Sequence, residues 1–240
     1  MGNQPLKPLT ELPVEPFKES MKIAVYIIAT PGIYEYTKYT IPIIKEWCRI
    51  HNYDFFLVEK NLIPNLPINF TKIRVGLDLL SNEKGYDYVI HIDADAPIVN
   101  LDYPIEFIIQ HYMKSPTVAL FSEDCFNKKD CSQPGKQNSG VFIVKNSNNG
   151  ISFLKYWLES ALTGPCKKYV NTFPNCQLVL WNCVMPKYKN IVKTLPYNVL
   201  NGRDGLLVNH LMQSSGLERN RIAKDLHSKL LTNKRTGVWN

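Results

Sequence analysis

Apolar positions recur along this chain in two rhythms. Residues 21–30, MKIAVYIIAT, form an almost unbroken apolar run rich in β-branched side chains that stops at Pro31-Gly32. A run too short for a typical helix and apolar on both faces predicts a buried, parallel, central strand. From Tyr34 to Ile50 the spacing lengthens. Tyr36, Tyr39, Ile43, Ile44 and Trp47 recur near the helical period, with Pro42 in the first turn or at a kink. Residues 53–59 (YDFFLVE) predict a second strand, 71–82 (TKIRVGLDLLSN) a helix with Ile73, Leu77 and Leu80 on one face, and 86–93 (YDYVIHID) a third strand. Strand and helix alternate, the pattern of a doubly wound α/β sheet.

Further along, the order changes. Residues 116–122 (PTVALFS) and 139–146 (SGVFIVKN) predict strands separated by the polar loop EDCFNKKDCSQPGKQN, so the sheet becomes mixed. Residues 150–162 predict an amphipathic helix, 175–185 (NCQLVLWNCVM) another, and 206–212 (LLVNHLM) a last short strand. The opening residues carry Pro5, Pro8, Pro13 and Pro16, which discourage helix and central strand alike. The expected organisation is a flexible leader over 1–20 and a single domain over 21–240.

A length of 240 residues at 45% hydrophobic content suits one substantial α/β domain. No run approaches the about 18 apolar residues of a membrane span, and the first residues lack the apolar core of a signal peptide. A soluble, cytoplasmic protein is the expectation, with a lumenal catalytic fragment as the alternative. The net charge of +7 suits an anionic partner: nucleic acid, an acidic lipid surface or a phosphorylated ligand. Six cysteines show no C-x-x-C spacing. Cys125 with Cys131, and Cys166 with Cys176, could close loops in an oxidising compartment, but without a secretory signal free thiols are expected.

The chemistry concentrates at YVIHIDADAPIVN, residues 88–100. In open α/β sheets ligands sit outside the carboxyl ends of the strands, and Asp93 and Asp95 fall at that edge. Residues two apart in an extended segment face the same side, so both carboxylates can converge on one Mg²⁺ or Mn²⁺ that also meets substrate phosphates. The plain alternative is that Asp93 caps a turn while Asp95 is solvated. Lys72 and Arg74, on the preceding helix, offer cations for a diphosphate. His210, inside LLVNHLM, is either a hydrogen-bonded core histidine or a third metal ligand.

Residues 71–100, TKIRVGLDLLSNEKGYDYVIHIDADAPIVN, resemble the lysine-bearing helix and Asp-x-Asp strand of GT-A fold glycosyltransferases, particularly the yeast galactosyl- and mannosyltransferases and plant xyloglucan xylosyltransferases. NSGVFIVKNSNNGISFLKYW (138–157) is similar to that family's Asn-x-Gly strand and Asn-Ser helix, and LVNHLMQSSGLERNR (207–221) to its late metal and phosphate loop. The resemblance spans about residues 21–221, and the compact size is that of soluble members from large algal viruses. It implies a Rossmann-like mixed sheet flanked by helices and an enzyme that moves a sugar from a nucleotide-sugar, a UDP-sugar foremost, to a hydroxyl of a glycan acceptor, with retention of configuration.

Carried over residue by residue, the resemblance implies Asp93, Asp95 and His210 as ligands of Mn²⁺ or Mg²⁺, with Ala94 between the two acids. It implies Ala29, Thr30 and Tyr34 at the base and ribose, and Lys72 at the phosphates or donor sugar, with Arg74 as its fallback. Asn138, Ser139, Gly140 and Gln177 would shape the donor-sugar pocket, Lys72, Asn138 and Gln177 being the catalytic candidates. Arg219 and Arg221 would reach the diphosphate. Two features depart from the family pattern. Asn175-Cys176-Gln177 lacks the acid that usually precedes the glutamine, and Gly216 follows His210 by six residues rather than three.

Two competing readings remain at this level. A nucleotide-sugar pyrophosphorylase would share metal and fold but calls for a glycine-rich basic loop where ATPGIYEY has one glycine. A P-loop enzyme is excluded by the missing G-x-x-x-x-G-K-[ST]. The basic tail, with Ile222, Leu226 and Leu230 on one helical face and Arg219, Arg221, Lys224 and Lys229 around it, would suit a membrane-surface or nucleic-acid-binding module. Its plain alternative is a packed C-terminal helix. For the glycosyltransferase reading no nucleic-acid partner is expected, and peripheral membrane contact would run through this helix.

Overall fold

The computed structural model describes residues 21–124, 135–203, 205–212 and 214–232. The expected leader over 1–20 lies outside the described residues, as does the Cys125 and Cys131 pair.

The chain opens with β1 (Ile23–Ile28), α1 (Tyr34–His51), β2 (Asp54–Val58), α2 (Thr71–Leu80) and β3 (Tyr88–Ile92). It continues through α3 (Glu106–Tyr112), β4 (Ala119–Glu123), β5 (Gln137–Lys145) and α4 (Asn148–Leu162). The six-stranded sheet has the order β2-β1-β3-β5-β4-β6, its last strand being β6 (Val192–Leu195). β1 is parallel to β2 and β3, β5 is antiparallel to both β3 and β4, and β4 is parallel to β6. Among these strands β5 therefore runs opposite to the other five. Its amino end is delivered to the same edge as the carboxyl ends of β1, β3 and β4.

The continuous apolar run of β1 is explained by burial on both faces. Ile23, Val25 and Ile27 pack into one core layer with Ile43, Ile44 and Trp47 of α1, while Ala24 and Tyr26 pack into the other with α2 and α4. Alternation at period two sends successive side chains to opposite layers. Tyr26 also fixes α2, its hydroxyl donating to the Lys72 carbonyl at 2.8 Å. Gly76 is required there, since a Cβ would meet the Tyr26 hydroxyl oxygen at 2.8 Å.

Three expectations are corrected. Residues 175–185 do not form one regular helix: α5 (Asn175–Val179) widens into a π turn (Leu180–Val184) before α6 (Met185–Tyr188). Residues 206–212 add no strand to the sheet. Val208 instead bridges Ile98, and the segment runs antiparallel to the chain following β3, with Val99 N–H donating to Leu207 O, Asn209 N–H to Pro97 O and Leu211 N–H to Asp95 O at 2.8–3.0 Å. The expectation of free thiols fails at Cys166, which is disulfide-bonded to Cys183, not to Cys176; Cys48 and Cys176 are buried free thiols. The short helix α7 (Tyr197–Leu200) precedes the bridging segment, and α8 (Gly216–His227) follows it. Ser215 caps α8 by accepting from Glu218 N–H at 3.2 Å. Leu226 and Leu230, both partly buried, pack against the core layer of α1, so this part of the tail's apolar face is partly covered. No described helix is long and apolar enough to cross a membrane.

Candidate active site

The sheet edge that collects four strand ends forms a cleft of about 280 Å³. Its floor is built from Asp93 and Asp95 after β3, Asp124 after β4 and Asn138, Ser139 and Gly140 at the start of β5. One wall, from Asn69 and residues 173–177, belongs to the layer of α2 and α4. The other, with His210, Met212 and Arg219, belongs to the layer of α1 and α8.

Two donors converge on a single oxygen of Asp93. Lys72 Nζ lies 2.7 Å and His91 Nε2 2.8 Å from Oδ1. Lys72, in the first turn of α2, is only 4% exposed. A buried cation is costly there without a carboxylate partner, and the helix N-terminus adds repulsion. Asp93 and the Ser139 carbonyl, at 3.1 Å, supply the compensation. Two of the three ammonium N–H groups are thereby used. Burial pushes against the Lys72 charge, but Asp93 outweighs it and raises the pKa. Burial likewise opposes the Asp93 charge, yet Lys72 and the His91 bond hold that carboxyl well below its ordinary range.

His91 is fully buried between Tyr26 and Phe142, each ring centroid 5.1 Å away. A carboxylate only accepts, so Nε2 carries the proton; Nδ1 is buried with no hydrogen-bond partner among the described residues. Burial, aided by the Lys72 charge, takes the His91 pKa down to about 4 and keeps the ring neutral.

Asp93, Asp95 and His210 each present one ligand atom, all within 4.8 Å of one another. The bridging segment that pairs Leu211 with Asp95 explains how a histidine more than a hundred residues downstream reaches the acids. His210 Nδ1 lies 2.8 Å from Asn201 Oδ1, and Asn201 Nδ2 donates to the Glu123 carbonyl at 3.0 Å. This fixes the Asn201 amide, hence the histidine tautomer, and turns Nε2 toward Asp95 Oδ1 at 3.4 Å. Burial opposes charge on His210, but the Asp95 contact and both carboxylates overcome it and raise the pKa. Two carboxylates and an imidazole oriented by an outer amide fit a divalent cation. Gly140 provides the space: a Cβ there would strike the His210 ring and stand 3.0 Å from Asp93 Oδ2.

Beside these three groups, in the same cleft, a polar network surrounds one further carboxylate. Asp124, 2% exposed, accepts from Asn138 Nδ2 at 3.0 Å and from Gln177 Nε2 at 2.8 Å. Gln177 Oε1 accepts the Ser139 N–H at 2.7 Å, and Asn138 Oδ1 the Gly140 N–H at 2.8 Å. Both amides are held at both ends. Burial raises the Asp124 pKa, with the two amides opposing.

The remaining sequence candidates divide. Arg219 lines the cleft, with Nε 3.2 Å from Asp95 Oδ2 in poor hydrogen-bond alignment and its guanidinium 5.2 Å from the centre of the Tyr36 ring. Arg74 and Arg221 do not join it. Each is a surface residue paired four positions along its own helix, Arg74 with Asp78 at 2.8 Å and Arg221 with Asp225 at 3.4 Å. The 3.6-residue period turns both to a different face from Lys72 and Arg219. Ala94 is buried in the core and its carbonyl accepts from Thr40 at 2.7 Å. Ala29 and Thr30 follow β1 at the same edge, Ala29 buried and Tyr34 exposed, but none of the three lines the cleft.

Sequence reasoning missed Asp124, His91 and Asn201. Asp124 had a legible signal, an acid just past a predicted strand. Asn201 had none.

No family model matches the chain, and no curated protein is significantly similar to it. Among solved structures it is similar to a glycosyltransferase involved in glycosylation of the major capsid of PBCV-1, at 19% identity over 85% of this chain and 99% of that one, with a TM-score of 0.69. It is also similar to the galactosyltransferase LgtC, solved with donor and acceptor sugar analogues, at 12% identity over 90% of this chain and all of that one, with a TM-score of 0.51. At such identities the likeness is one of fold, and with the mixed six-stranded sheet flanked by helices it establishes that the chain has the GT-A glycosyltransferase fold.

Proposed function

We propose that this protein is a metal-dependent glycosyltransferase that moves a sugar from a UDP-sugar to a hydroxyl of a glycan acceptor. The observation that carries the reading is the convergence of Asp93, Asp95 and His210 beside buried Lys72 in the strand-end cleft. Four charged or ligating groups at one sheet edge are expensive to assemble and have no packing use. A diphosphate facing two carboxylates is repelled unless a cation stands between them.

When bound, the divalent ion supplies a Lewis acid against the diphosphate as the glycosidic C–O bond breaks. The chain's own contribution is electrostatic preorganisation. Lys72 and His91 both hold Asp93 Oδ1, so that Asp93, Asp95 and His210 would hold the cation, and the Lys72 and Arg219 charges would offset the negative charge that develops on the diphosphate. Asn138 and Gln177 act here by position. With both amide ends engaged, the Gln177 carbonyl oxygen is turned to the Ser139 N–H and is not presented as a nucleophile. Retention of configuration is the course that the family resemblance implies.

Titration of UDP into the protein by calorimetry, with Mn²⁺ and with excess chelator, tests the reading, together with UDP release from a panel of UDP-sugars. Binding is expected with Mn²⁺ only, and Asp95→Ala should abolish it. UDP binding of equal strength in chelator would overturn the proposal.

A further inference from the structure

Phe173 stands at the rim of the cleft with 82% of its surface exposed. The other exposed large hydrophobic residues among those described, Tyr34, Leu162 and Leu217, do not line the cleft. An exposed phenyl ring on a surface is ordinary; one at the mouth of a polar, carboxylate-floored cleft lies where a ligand would meet it.

The backbone beneath the ring is firmly held. Asn69 Nδ2 donates to Asn175 Oδ1 at 3.0 Å, Cys176 N–H donates to the same oxygen at 2.7 Å, and Leu178 N–H donates to the Pro174 carbonyl at 2.8 Å. On the amino-terminal side, Thr172 N–H donates to the Tyr169 carbonyl at 3.2 Å, and Cys166 of that segment is bonded to Cys183. A ring carried on an anchored segment loses little freedom when a ligand covers it.

The two-layer construction of the cleft says which ligand this is. On the proposed glycosyltransferase reading, on which this inference rests, the diphosphate lies with Asp93, Asp95, His210 and Arg219. His210 and Arg219 come from the layer of α1 and α8, and Tyr36 of α1 lies under Arg219. Phe173 comes from the opposite layer, four residues before Gln177, at the rim of the same cleft and on the wall across from His210 and Arg219. The molecule that meets the ring is then the one entering from outside, the acceptor.

We propose that Phe173 is the platform of an acceptor-saccharide site, stacking against the C–H face of a pyranose ring. A pyranose presents hydroxyls around its edge and C–H bonds on a face, so it can cover an aromatic ring while its hydroxyls turn to water and to the amides of the cleft. Burying that face against an aromatic ring removes apolar surface of both from water.

The test uses the full chain with Mn²⁺ and UDP, and methyl glycosides of glucose, galactose, mannose and xylose as probes, read by saturation-transfer NMR and calorimetry. At least one glycoside is expected to bind the unaltered protein. Phe173→Ala should weaken it about tenfold, the scale of one lost aromatic anchor, and Phe173→Trp should retain it. UDP affinity should change far less than glycoside affinity, because the ring stands on the wall across from His210 and Arg219. Equal glycoside binding by Phe173→Ala, loss of UDP affinity in that variant, or no glycoside binding by the unaltered protein would each overturn the assignment. Failure of the unaltered protein to bind UDP with Mn²⁺ would instead strike the proposed function, so the two failures are told apart.

Discussion

Replacing His91 by Phe separates stability from metal affinity, because two contributions to stability oppose each other at this residue. The substitution removes the Nε2–H bond to Asp93 Oδ1, 2.8 Å long, a bond to a charged group worth about 1.5–3 kcal/mol. It also removes Nδ1, a buried polar atom without a partner among the described residues, whose desolvation costs about 1–3 kcal/mol. A phenyl ring fills a similar volume between Tyr26 and Phe142. The two terms nearly cancel, so the melting temperature at pH 8 should move by no more than a few degrees. Metal binding has no such offset. Asp93 would keep Lys72 but lose the second group that holds Oδ1, and loss of an outer partner of a ligand costs about 10–100-fold in affinity. Titration of Mn²⁺ into the metal-free protein, followed by calorimetry or by the loss of free Mn²⁺ signal in electron paramagnetic resonance, measures this directly. His91→Gln, whose Nε2 stands in for the imidazole donor, should recover part of the affinity. Unchanged Mn²⁺ affinity in His91→Phe would refute the view that this histidine positions Asp93. A fall in melting temperature of more than about 10 °C would refute the cancellation.

The His91 pKa of about 4 lies below its ordinary value, so the folded protein refuses a proton that the unfolded chain accepts. Stability from this residue is full above about pH 6.5 and is lost as pH falls toward 4, by up to about 3 kcal/mol. Chemical denaturation between those pH values should show a shallower acid loss in His91→Phe; His210 is common to both proteins and drops out of the difference. Arg219→Ala should weaken Mn²⁺–UDP binding measured by calorimetry, whereas Arg221→Ala, whose partner is Asp225 on the surface, should leave it unchanged. In Gly140→Ala the new methyl must displace the His210 ring, so Mn²⁺ affinity should fall at least tenfold while circular dichroism still reports a folded chain.

Some of this protein could be read directly along the chain. The strand–helix alternation through β3, the buried character of β1 and the edge position of Asp93 and Asp95 follow from local periodicity, which depends on neighbours a few residues apart. Other features depend on contacts with no local trace. β6 is a four-residue strand whose pattern is too short to announce itself, and α3 covers two turns. The segment around His210 reads as a strand because its apolar residues are buried, yet its partner is the irregular chain at 97–99 and not the sheet. That pairing brings the imidazole to the acids. Sequence offered Lys72 as a cation for a diphosphate, whereas folding commits two of its three N–H groups to Asp93 and Ser139. The Asp124, Asn138 and Gln177 network joins residues 14 and 53 positions apart. Residue type and spacing name which groups are able to ligate or donate; only the reversal of β5 and the closing of the two layers over the strand ends decide which of them meet.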